Sequence, residues 1–174
     1  MKALRYLDLS RNHLSGNLPD CNWGNLDSLS VAILSSNQLS GAIPNSIGGG
    51  AYGSLEWLQL NNNSLTGQLP SNLRNCTTLF VLDVGDNKLT GKSPEWIGNY
   101  MLYLAVLRLR NNEFYGHIPS AYCQLSGLQI MDFAHNQLTG NIPHCFGSLL
   151  GMITSGGIPG EFSFNILSNR RKTR

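Results

Sequence analysis

One segment constrains this chain more than any other: Leu4 to Pro19, LRYLDLSRNHLSGNLP, because most of the remainder is built from copies of it. Aligned on Asn12, the same frame returns at Asn37, Asn63, Asn87, Asn112 and Asn136, at steps of 25, 26, 24, 25 and 24 residues. The shared template is L-x-x-L-x-L-x-x-N-x-L-x-G-x-I-P. Leu7 and Leu9 alternate with Tyr6, Asp8 and Ser10, so a short strand sends leucines inward and the others outward. Leu14 and Leu18 follow on the inner side, and Pro19 fixes the direction in which the chain leaves. One coil of this kind cannot cover its own apolar face. Stacked copies cover one another, and stability becomes roughly a sum of neighbour terms.

Six phased copies with a period in the twenties define a leucine-rich repeat solenoid, an α/β-type repeat protein. Its parallel sheet is expected on the concave face, with 3₁₀ or short helical turns on the convex face, where apolar residues recur at threes, as in Leu73, Cys76 and Leu79. The six asparagines are expected to form a structural ladder. Each carries an acceptor and two donors that satisfy buried backbone groups, which would otherwise cost about 1–3 kcal/mol each. Register fails after Pro143: Ser155, Gly157 and Gly160 stand where Leu, Leu and Asn are due. Residues 1–152 therefore read as six repeats and residues 153–174 as a non-repeat, weakly ordered tail.

Charge excludes one class of partner. Arg170, Arg171, Lys172 and Arg174 supply four of the twelve basic residues, and the rest of the chain carries eight basic against ten acidic groups. No basic face remains for a nucleic acid. The longest apolar run, Met101 to Leu107, is far short of the ~20 residues a membrane-spanning helix needs, so no membrane contact by the chain itself is expected. No secretory leader precedes the first leucines, and nothing ahead of Leu4 covers the first coil. Flanking repeats or a partner are expected to cover that open end. Cys21 and Cys145 fall five coils apart, about 24 Å at the ~4.8 Å spacing of paired strands, beyond disulfide reach. Cys76 reads as a buried apolar thiol. Cys123 and Cys145 lie in adjacent coils but in different slots, which argues against pairing.

No catalytic constellation is present, and the reading is of a non-enzyme without cofactor or metal. Gly48-Gly49-Gly50-Ala51-Tyr52-Gly53 spells G-x-G-x-x-G, but a dinucleotide loop needs a strand before it and a helix after it, and here the order is reversed. Asp8 and Asp83 share a strand slot about 14 Å apart, too far for a carboxylate dyad. The informative surface is the outer side of the strands. Its columns are Tyr6, Val31, Trp57, Val81, Val106 and Ile130, then Asp8, Ile33, Gln59, Asp83, Arg108 and Asp132, then Ser10, Ser35, Asn61, Gly85, Arg110 and Ala134. The valines read as packing sideways, strand to strand. Tyr6, Asp8, Trp57, Gln59, Asp83, Arg108, Arg110 and Asp132 are the expected contacts to a protein or peptide partner, since Trp, Tyr and Arg dominate such interfaces. Two sequons, Asn62-Asn63-Ser64 and Asn75-Cys76-Thr77, are usable for N-glycosylation if the chain is secreted.

The segments LSGNLP, LSGAIP, LTGQLP, LTGKSP, FYGHIP and LTGNIP are more specific than the leucines. With LRNCTTLFVLDVGDNKLTG and IPHCFGSLLGM they resemble the plant-specific leucine-rich repeats of receptor-like proteins, in the disease-resistance and elicitor-receptor group. The resemblance implies a right-handed twisted solenoid with a second short strand near each L-x-G-x-I-P. It further implies a glycoprotein fragment on the extracellular face of the plasma membrane that recognises ligands and signals, in defence or development, through a co-receptor kinase. A wall-located inhibitor of a pathogen polygalacturonase, or a truncated product without function, is the alternative. The chain departs from the pattern at Ser93, where an apolar residue usually precedes the proline, and at Asn22, inserted before Trp23.

Overall fold

The computed structural model describes residues 4–20, 28–48 and 54–149. Cys21, Asn22, residues 49–53 of the glycine-rich insertion and the tail from residue 153 lie outside that range.

The period-two alternation of each coil yields one three-residue strand on the concave side: β1 (Tyr6–Asp8), β3 (Val31–Ile33), β5 (Trp57–Gln59), β7 (Val81–Asp83), β9 (Val106–Arg108) and β11 (Ile130–Asp132). They form a six-stranded parallel sheet in chain order. The register places Tyr6 beside Val31, Val31 beside Trp57, Trp57 beside Val81, Val81 beside Val106 and Val106 beside Ile130, so the outer columns read from the repeats are true neighbours. A second parallel sheet comes from the L-x-G segments: β2 (Ser15–Asn17), β4 (Gln38–Ala42), β6 (Ser64–Gly67), β8 (Lys88–Lys92), β10 (Glu113–Gly116) and β12 (Gln137–Leu138). The two strands of each coil meet at a bend whose residue is left-handed in every copy: Arg11, Ser36, Asn62, Asp86, Asn111 and His135. Each stands immediately before the asparagine of the repeat.

Those asparagines tie coil to coil. The Asn87 amide donates to Leu60 O of the preceding coil (3.0 Å) and to Val84 O and Gly85 O of its own (both 3.1 Å). Its Oδ1 accepts the Leu65 N–H at 3.0 Å. Asn37, Asn63, Asn112 and Asn136 repeat this pattern with Leu9 O, Leu34 O, Val84 O and Leu109 O. The amide of Asn12 donates to Leu9 O and Ser10 O, both in its own coil.

Between the sheets runs one apolar core, including Leu58, Leu82 and Leu107 from the first sheet, Leu65, Leu89 and Phe114 from the second, and Leu73, Ile97 and Tyr122 from the convex side. Complete burial contributes about 1.5–3 kcal/mol for a leucine-sized side chain. Ser93, the one wall position that breaks the apolar pattern, is also buried, and its Oγ lies 2.8 Å from the Tyr122 hydroxyl. Tyr122 stands one coil later, in the slot of Leu73 and Ile97, so two hydroxyls added to an otherwise apolar template partner each other.

The convex linkers form 3₁₀ turns at Asn45–Gly48, Ser71–Asn75, Ser120–Gln124 and His144–Ser148, and a short helix α1 at Glu95–Tyr100. These turns stack out of phase. Gly48, four residues after Pro44, lies against the backbone of Asn72, two residues after Pro70. Gly98, four after Pro94, lies against Ala121, two after Pro119, closely enough that neither glycine has room for a Cβ.

This offset corrects the expectation for the cysteines. Cys123 stands four residues after Pro119 and Cys145 two after Pro143, the same diagonal pair of slots, and they form a disulfide with Cα atoms 5.7 Å apart. Only the strands keep the repeat in phase; the convex turns lag by two residues, so cysteines in different slots meet. Cys76 is a free thiol in the core, and burial pushes its pKa up to about 11.

Candidate functional site

The outer face of the first sheet is where the chain offers varied side chains, and it divides into three zones. Val31, Ile33, Trp57, Val81 and Val106 form an apolar stripe of their own along the centre, with Phe80 and Ile130 packed against it. Trp57 is 3% exposed and Val81 and Val106 are fully buried. The strand-to-strand packing expected for the valines therefore takes in the tryptophan, which was expected to be open. Side chains on adjacent strands about 4.8 Å apart converge on a concave surface, and the largest of them fills the space between its neighbours. Gln59 and Asp83 are buried as well, at 8% and 4%.

The second zone is charged and belongs to coils 4 to 6. The Arg108 guanidinium lies 3.6 Å from the Asp83 carboxylate, and Arg110 lies 3.2 Å from Asp132. Each aspartate also accepts the backbone N–H two residues on, Gly85 for Asp83 and Ala134 for Asp132. Burial pushes the Asp83 carboxyl up to about 6, against the opposing pull of the Gly85 N–H and of Arg108. Arg108 Nε is buried without a hydrogen-bond partner. Arg110 keeps 43% of its side chain exposed, so this pair points an accessible cation and anion to the concave side.

The third zone is a polar groove of about 220 Å³ across coils 1 to 3, walled chiefly by Asp8, Arg11, Ser35, Ser36, Gln59 and Asn61, with Ile33 as its aliphatic contribution. Asn61 is 6% exposed and its Oδ1 has no hydrogen-bond partner. Asp8 accepts the Ser10 N–H at 2.9 Å. Tyr6 is 54% exposed, and its hydroxyl pKa is raised by burial first and then by the neighbouring Asp8. Among the eight expected contacts, then, Tyr6, Asp8, Arg108, Arg110 and Asp132 retain accessible surface, while Trp57, Gln59 and Asp83 lie beneath it. Of the other groove residues, Ser35 and Asn61 were legible in the same third column as Arg110, whereas Arg11 and Ser36 stand at the bend past the strand, where the alternation that marks an outward residue stops.

Among the described residues, no group of three or more His, Cys, Asp or Glu side chains is placed to hold a metal ion. No helix among them is long and apolar enough to cross a membrane.

Stacked parallel strands, an asparagine in every coil and an apolar interior define a repeat solenoid. Residues 3–26, 54–76, 78–100 and 127–149, more than half of the chain, match the family model Leucine Rich Repeat, and the chain belongs to that family. The relatives it matches include plant receptor-like proteins. It is 36% identical over 99 residues to Receptor-like protein 35 of Arabidopsis thaliana, covering 57% of this chain and 10% of that protein. It is 44% identical over 105 residues to Receptor-like protein EIX2 of Solanum lycopersicum, covering 60% of this chain and 10% of that one. The chain thus spans about a tenth of the length of these relatives. Its fold is similar to the crystal structure of PEPR1–AtPEP1, with a TM-score of 0.79, 30% identity and coverage of 91% of this chain and 23% of that one. It is also similar to the Arabidopsis receptor kinase HAESA in complex with the peptide hormone IDA and the co-receptor SERK1, with a TM-score of 0.77, 36% identity and coverage of 84% and 24%.

Proposed function

We propose that this chain is a recognition module whose concave face binds a protein or peptide ligand and which acts with a co-receptor kinase in defence or developmental signalling. The observation that carries this reading is the open ion pair Arg110–Asp132, with Tyr6 exposed at the other end of the same sheet. An exposed aromatic and a charged pair set in a rigid sheet are the elements from which protein interfaces draw most of their energy. HAESA, similar in fold, is seen with both a peptide hormone and a co-receptor. The disulfide Cys123–Cys145 supports an oxidising, extracellular setting. Tyr6, Asp8, Arg108, Arg110 and Asp132 would touch the ligand, with Trp57, Gln59 and Asp83 holding them in place.

Co-precipitation of the chain with the SERK1 ectodomain, in the presence of secreted plant peptides, tests the reading. Tyr6→Ala and Arg110→Glu are each expected to weaken the association about tenfold, equivalent to about 1.4 kcal/mol. No association, or association indifferent to both substitutions, overturns it. Inhibition of a polygalacturonase by the chain in a parallel assay would favour the wall-inhibitor alternative.

A further inference from the structure

The polar groove of coils 1 to 3 has a feature at its rim that the recognition reading does not use. The residue after Asn61 is Asn62, which is exposed, holds a left-handed backbone with φ of 56°, and opens the sequon Asn62-Asn63-Ser64. Its Nδ2 donates to Ser36 Oγ at 3.2 Å, and Ser36 is one of the groove's walls. The nitrogen to which a sugar would be attached therefore stands at the groove's edge. An amide nitrogen carries two hydrogens. Ser36 engages one, and the other is open to substitution.

The groove suits a hydroxyl-rich occupant. Asp8, Arg11, Gln59 and Asn61 offer planar acceptors and donors, Ser35 and Ser36 offer hydroxyls, and Ile33 alone is aliphatic. The Asn61 Oδ1, buried and unpartnered, calls for a hydrogen-bond donor. A sugar ring brings several. The second sequon is placed differently. Asn75 is exposed at the end of the convex 3₁₀ turn Ser71–Asn75, and its Nδ2 donates to Gly48 O at 3.3 Å. A glycan there stands on the opposite side of the coil.

We propose that Asn62 carries an N-linked glycan whose first sugar lies at the rim of the concave groove, so that occupancy of Asn62 sets access to it. The donor is a lipid-linked pyrophosphoryl oligosaccharide. The Nδ2–C1 bond forms, the C1–O bond to the pyrophosphate breaks, and the amide proton leaves with the lipid pyrophosphate. This rests on the extracellular reading above, because the transfer takes place in the secretory pathway.

The test uses the full chain secreted from a eukaryotic host. Peptide mass spectrometry after enzymatic deglycosylation in heavy-oxygen water reads occupancy at Asn62 and Asn75. A Ser35→Cys variant then reports groove access through its rate of reaction with a polyethylene-glycol maleimide. The result expected is sugar on Asn62 and a labelling rate severalfold slower than in the same variant carrying Asn62→Gln or Ser64→Ala, with Asn75→Gln leaving the slow rate unchanged. Hydrogen exchange across residues 33–36 of the unsubstituted chain, with and without Ser64→Ala, reads the same shielding should Ser35→Cys fail to fold. An unmodified Asn62, or equal rates and equal exchange with and without the glycan, overturns the proposal. No ligand enters the measurement, so failure of the co-precipitation and failure of this test are told apart.

Discussion

Coil 1 and coil 4 follow one template, LRYLDLSRNHLSG and LFVLDVGDNKLTG, and their concave strands and left-handed bends fall at matched positions. Their environments differ at almost every matched position. Tyr6 is 54% exposed where Val81 is fully buried, and Leu14 is 40% exposed where Leu89 is fully buried. Asp8 is exposed and Asp83 is covered. Asn12 donates only within its own coil, whereas Asn87 bonds backward to Leu60 O and Leu65 N. The local sequence sets the shape of a coil, and its neighbours set nearly all of its energy. Among the described residues coil 1 has a neighbour on one side only, while coil 4 has one on each.

The largest effect that could break this comparison is in the core. Leu89→Ala is expected to cost about 2–5 kcal/mol, because the cavity lies between two packed coils. Leu14→Ala should cost less than half as much, since part of the leucine is already in water. Paired urea denaturation curves measure both, and equal losses would mean that coil 1 is as well packed as coil 4. A step down in size come the asparagines. Asn87→Ala strands the Leu65 N–H and takes one of two hydrogen bonds from each of Leu60 O, Val84 O and Gly85 O, for an expected loss of about 1–3 kcal/mol. Asn12→Ala, with solvent at hand, should cost about 0.5 kcal/mol. Amide exchange at Leu65 should rise in the first variant.

The last effect is a dependence on pH. The Asp83 carboxyl, held up to about 6 against an ordinary 3.8, binds its proton more tightly folded than unfolded. Across that window its contribution to stability falls as pH rises, because the folded state is the one holding the proton. Asp83→Asn should therefore remove a downward slope from the denaturation midpoint between those pH values. A slope unchanged by the substitution would assign it to other groups.

The strand columns were legible because two periods act together: alternation along each strand and recurrence every two dozen residues. Val31, Trp57 and Val81 are adjacent in the fold for the reason they align in the sequence. The depth of Trp57 was not legible, since it depends on how closely its neighbours draw together on a curved face. The Cys123–Cys145 pairing was hidden by the constant two-residue offset of the convex turns, which brings unlike slots of adjacent coils together while the strands stay in register. Ser93 was visible as a departure, but its partner Tyr122 lies 29 residues on, in a different copy of the template.

That last pair limits how freely the copies can be exchanged. A solenoid invites the idea that its modules can be shuffled, duplicated or deleted at will. Here the fourth module presents a hydroxyl that only a tyrosine from the fifth receives. Grafting a module with leucine at that place behind Ser93 would leave a thirsty oxygen in a dry wall. These two neighbours must be inherited together.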